Sequence, residues 1–95
     1  MKVLINDQLF GGFRIKDEVI KKIWGDEDAR FVDKDKMRVN AELIAMKERG
    51  EDIEGHACHL VVVELPEGWT DWTVTEYDGL ETLYAMTGSK IFWGR

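Results

Sequence analysis

Proline occurs once in this chain, at Pro66, and cysteine once, at Cys58. A lone cysteine excludes an intrachain disulfide, so noncovalent packing must hold the fold. It also suits a reducing compartment, and a cytoplasmic location is expected. No apolar run approaches the ~20 residues of a membrane-spanning helix; Leu60 to Val63 is strand-sized. Lys2 is not followed by the apolar core of a signal peptide, so secretion is not expected. Histidine is scarce as well, with His56 and His59 the only two.

Aromatic and charged residues are plentiful by contrast. Four Trp, four Phe and two Tyr, within a hydrophobic share of 44%, supply one core and argue against disorder. Ninety-five residues suit a single domain over 1–95. The net charge of −6 is uneven. Residues 1–50 carry 11 basic against 10 acidic side chains, whereas residues 51–95 carry 2 against 9. Nucleic-acid binding depends on basic patches that release counterions, so direct binding to nucleic acid is not expected. A small ligand or a basic partner protein is easier to accommodate, and self-association stays open. A solvated acidic face that maintains solubility accounts for the same charges.

Lys2 to Asn6 reads as a strand, followed by a loop that contains Gly11-Gly12. Val19, Ile20, Ile23 and Trp24 recur at helical spacing, which predicts a helix over 17–24. Ile15 and Ile20 suit a staple across its start and Gly25 a C-terminal cap, while Lys16 makes a poor N-cap. A second helix is expected over 36–49, capped by Asp33 or Asp35, with Met37, Ala41, Ile44 and Ala45 inward and Gly50 ending it. The remainder reads as sheet. Leu60 to Leu65 is nearly continuously apolar and β-branched, as a strand covered on both faces should be. Trp72 to Tyr77 alternates, and Asp78-Gly79 signals a type I′ hairpin turn. Leu80 to Met86 would return, although Leu80, Leu83, Tyr84 and Thr87 also fit a helix. Gly88-Ser89 would turn again before Lys90 to Trp93. The fold class is therefore α+β, in the order β-α-α-β-β-β-β, with two helices on one face of a mainly antiparallel sheet.

His56, Cys58 and His59 crowd into four residues. On an extended chain His56 and Cys58 share a face and His59 points away, so the three do not converge. Zinc needs four ligands, and no second cluster exists beyond carboxylates. No catalytic residue, metal site or cofactor is expected, and an enzyme is not. The layout Asn6…Gly11-Gly12-Phe13-Arg14 before a helix is similar to loops whose N–H groups hold a phosphate, with Arg14 as a clamp. It matches no established nucleotide motif, and a tight turn needs glycines anyway. Phe10, Phe13, Trp69 and Trp93 would mark a partner surface if exposed; core packing explains them equally.

Two segments together resemble a group of small uncharacterised phage and prophage proteins. They are V-L-I-N…F-G-G-F-R-I-K-D-E (Val3 to Glu18) and V-V-V-E-L-P-E-G-W-T-D-W-T-V-T-E-Y-D-G-L-E (Val61 to Glu81). The sequence departs from that pattern at Lys16, where the group has a capping Ser, and in the tail after Met86. The resemblance implies an accessory protein that binds something of the host. A nucleotide-like ligand would sit between Asn6, Gly11, Gly12, Phe13 and Arg14 on one side and Tyr77, Asp78 and Glu81 of the hairpin on the other. Sequestration of a host nucleotide immune signal is one function of that kind. The alternative is an acidic inhibitor of a host protein, acting as a nucleic-acid mimic through residues 51–95.

Overall fold

The computed structural model describes residues 1–25, 32–69, 71–87 and 90–93, with the backbone alone from residue 86. Phe31, the Gly88-Ser89 turn and the side chain of Trp93 lie outside the described residues. Strand β1 (Lys2–Asn6) pairs antiparallel with β2 (Leu60–Glu64), from Lys2 opposite Glu64 to Asn6 opposite Leu60. Between them lie α1 (Asp17–Trp24), α2 (Lys34–Arg38) and α3 (Ala41–Glu48). Strands β3 (Asp71–Tyr77), β4 (Leu80–Thr87) and β5 (Lys90–Trp93) follow as an antiparallel meander. The class is α+β and the segment order is the expected one. Among the described residues no helix is long and apolar enough to cross a membrane.

Two details correct the sequence reading. The second helical segment is two short helices, because Asn40 caps a new one: its Oδ1 accepts from Leu43 N–H at 2.9 Å. Asn satisfies a free N–H at a helix start as well as any residue. Asp33 does the same for α2, accepting from Asp35 N–H at 2.8 Å. The break re-aims the following face, so Leu43, Ile44 and Met46 are buried while Ala41 is exposed and Ala45 half-buried. The second correction concerns β2, which pairs with β1 and leaves β3, β4 and β5 as a separate sheet.

The β1–β2 ribbon is a middle layer, with a hydrophobic cluster on each side. Leu4, Leu60 and Val62 pack with Val19, Ile20, Leu43 and Ile44 of the helices. Val3, Ile5, Val61 and Val63 pack with Trp72, Val74, Leu83 and Ala85 of the outer sheet. A strand buried on both faces has no polar side to alternate with, which is why both ribbon strands read as continuous apolar runs. Trp69 is half-buried against the second cluster, so it is not a surface aromatic.

Asp78 (φ 48°) and Gly79 (φ 87°) both lie in the left-handed region, as a type I′ turn requires. That turn fixes the pairing from Asp71–Met86 to Tyr77–Leu80, so residues 80–87 are strand rather than helix. Gly79 is needed for space as well as for φ. A Cβ there would overlap the Gly11 carbonyl oxygen and lie 2.6 Å from its carbon. Gly79→Val should therefore lose about 3 kcal/mol or more, exceeding the roughly 1–3 kcal/mol of backbone strain alone. Gly12, whose added Cβ would meet nothing within 4 Å, should tolerate Ala within about 0.5 kcal/mol. Urea unfolding followed by tryptophan fluorescence distinguishes the two; equal midpoints would contradict the packing of the hairpin on the loop.

Candidate functional site

The glycine loop and the hairpin meet directly. Phe10 N–H donates to the Asp78 carbonyl at 2.5 Å, and Gly11 lies against Gly79. Gly11 N–H donates to the Gln8 carbonyl and Gly12 N–H to the Ala57 carbonyl, each at 3.1 Å. Gly11 itself is boxed in, since a Cβ would overlap the carbonyl oxygen of Ala57. These N–H groups therefore close a turn and do not form an open cradle for a phosphate.

Asn6 and Glu81 are buried and bonded to each other's surroundings. Asn6 N–H donates to Glu81 Oε1 at 2.6 Å, and Asn6 Nδ2 donates to the carbonyls of Gln8 (3.1 Å) and Gly79 (2.8 Å). Asn6 Oδ1 accepts from His59 N–H at 3.0 Å. Arg38 grips the Glu81 carboxylate with both terminal nitrogens, at 2.8 and 2.6 Å, and also donates to the Leu4 carbonyl at 3.2 Å. The guanidinium carbon lies 4.3 Å from the centre of the Phe13 ring. Among the described residues Arg38 Nε has no hydrogen-bond partner, and Asp35 Oδ1 lies 3.6 Å from it. Asn6 and Glu81 thus act as parts of an internal clamp. Tyr77 and Asp78 stand exposed on the hairpin.

Phe13 and Arg14 help line a cleft of about 370 Å³ between the loop, α1 and the start of α2. Phe13, Ile15, Ile20, Val32 and Met37 give it an apolar floor, all of them buried. Arg14 and Lys34 stand exposed at its rim, joined by the exposed acid Asp17. Neither cation forms an ion pair among the described residues. The Arg14 stem is held over Gly55, where a Cβ would lie 2.6 Å from Arg14 Cγ. This volume falls at the lower end of the ~300–1,000 Å³ typical of small-molecule sites.

His56 and His59 are exposed while Cys58 is buried, so the three do not converge. Burial pushes the Cys58 thiol up, and a hydrogen bond from the Arg14 backbone offsets this only partly. Among the described residues no group of three or more His, Cys, Asp or Glu side chains is placed to hold a metal.

Arg38 and Lys34 are the residues of the clamp and the cleft that sequence reasoning passed over. For Arg38 a signal existed. Period-2 alternation sets Glu81 on the same face as Leu83 and Ala85, so an inward carboxylate had to find a cation. Lys34 carries no comparable signal, since its place on the cleft follows from where α2 begins. No protein-family model, curated protein or solved structure matches the chain.

Removing one partner of a buried pair leaves the other charge stranded, which costs about 3–5 kcal/mol. Glu81→Gln and Arg38→Met should each lose that much in denaturant unfolding, and the double variant should lose well under their sum. Gln is chosen because its Oε1 still accepts from Asn6 N–H. Additive losses would show that the pair is not coupled. Cys58 in the native protein should react with iodoacetamide at pH 8 at least about tenfold more slowly than in urea, because the thiol is buried and little ionised.

Proposed function

We propose that the protein is a non-enzymatic binder of a small phosphate-bearing ligand of mononucleotide size, held in the cleft beside α1. The observation that supports this reading most is the pair Arg14 and Lys34, cations with no ion pair among the described residues, above a floor of five buried apolar side chains. Phosphate would bridge the two cations, Arg offering a planar fork and Lys a point charge. A flat base would cover Ile20, Val32 and Met37, and Asp17 would accept from a hydroxyl or amine. Among the described residues the cleft lining holds no Ser, Thr, Cys or His side chain, and retention rather than turnover is the chemistry we propose for it. In a phage or prophage setting, retention of a host nucleotide signal would blunt the response that depends on it.

The acidic C-terminal half does not oppose this. The described residues that line the cleft all belong to residues 1–50, the half whose charges nearly cancel. A thermal-shift and calorimetric screen of mononucleotides, cyclic mono- and dinucleotides and ADP-ribose tests the reading. At a ligand concentration of 100 times Kd the protein should gain about 2.7 kcal/mol, a rise in Tm on the order of 10 °C. Arg14→Gln with Lys34→Gln should weaken binding at least about tenfold and leave the unliganded Tm unchanged, since both heads are exposed. No shift with any of these ligands, or parental affinity in the double variant, overturns the proposal.

A further inference from the structure

Among the described residues the exposed large hydrophobic side chains are Met1, Leu9, Phe10 and Tyr77. Leu9, Phe10 and Tyr77 each lie within one residue of the hydrogen bond from Phe10 N–H to the Asp78 carbonyl. Phe10 is 78% exposed and Tyr77 75%. Two exposed aromatic residues whose backbones meet at one contact are unusual in a chain that buries most of its other large apolar groups among the described residues.

The ring of Phe10 is held out by structure. Its φ of 62° is a region that a bulky residue occupies only under constraint. The constraint is the packing of the loop on the hairpin, where Gly11 and Gly79 touch and Phe10 N–H is tied down. The ordering cost of displaying this aromatic is therefore met in the free protein, as in preorganised binding surfaces.

Charge selects the occupant. Residues 3–13 and 50–89 contain no Lys or Arg, and Glu76 and Asp78 are exposed on either side of Tyr77. A second copy would bring these acids against their own kind. A partner with an apolar pocket rimmed by Lys and Arg would meet both the rings and the carboxylates. We propose that Leu9, Phe10 and Tyr77 form a docking surface for such a basic protein pocket. This surface is separate from the cleft of Arg14 and Lys34, and neither reading depends on the other. Aromatic anchors at the centre would set the lifetime of the complex, and the surrounding acids its rate of formation and its salt dependence.

Three octapeptides serve as probes, alternating Lys with Leu, Lys with Ser and Glu with Leu. Binding is followed by backbone amide NMR shifts at low and at physiological salt. The Lys/Leu peptide should bind at least about tenfold more tightly than the other two, weaken with salt, and move the amides of residues 8–12 and 76–80. Phe10→Asn with Tyr77→Thr should reduce that affinity about tenfold or more at an unchanged Tm, because Asn tolerates positive φ and both side chains are exposed. Equal binding of the Lys/Ser peptide would show charge alone at work and overturn the proposal. So would shifts confined to other residues, or parental affinity in the double variant. Movement of the same amides on raising protein concentration alone would make a second copy the occupant and overturn it too.

Discussion

Arg38 on α2 and Glu81 on β4 are opposite charges buried together, each side chain 6% exposed. Removing ions from water costs several kcal/mol apiece and is repaid only when nearly every polar atom is matched. Here the match draws on all three layers at once. The helix layer supplies the guanidinium, the ribbon supplies the Leu4 carbonyl and Asn6 N–H, and the outer sheet supplies the carboxylate. Such a pair adds little net stability against an apolar substitute of the same shape. Its effect is on register. A one-residue slip of β4 would turn Glu81 outward and bring Thr82 in, leaving Arg38 buried and alone.

Asn6 extends the same constraint sideways. Its amide ties the end of β1 to Gln8 in the loop, to Gly79 in the turn and to His59 ahead of β2. The glycine loop is thereby fixed against the hairpin on one side. On the other it carries Phe13 and Arg14 into the wall of the cleft. The loop thus borders two surfaces of different electrical character. Arg14 and Lys34 stand with Asp17 at the rim of one, while Glu76 and Asp78 flank Tyr77 on the other.

Much of this was legible in the sequence. Ordinary turn chemistry identified Asp78-Gly79, and helical spacing placed α1 between Ile15 and Gly25. The continuous apolar run at Leu60 to Val63 announced burial on both faces. Asn40 was passed over because its neighbours keep a helical period across it, and only the side-chain bond to Leu43 N–H shows the break. Pairing of β2 with β1 is nonlocal, and no local pattern encodes it. Of the residues proposed from the sequence, Phe13 and Arg14 line the cleft, whereas Asn6, Gly11, Asp78 and Glu81 meet one another where the loop packs on the hairpin. Their polar groups, however, are largely engaged within the protein. Glycines and buried acids carry the same letters whether they face a ligand or one another.

The middle layer has a consequence for how the chain reaches this fold. The β3–β4 hairpin and the three described helices form from residues close in sequence, on the microsecond scale of such elements. The ribbon joins Asn6 to Leu60, and closing that segment alone costs roughly 3–4 kcal/mol of chain entropy. Both clusters and the Arg38–Glu81 pair need the ribbon in place, so neither outer layer can finish packing before it. The meeting of the first strand with the second is then the step expected to limit folding, with the two halves of the core condensing on that strand pair together.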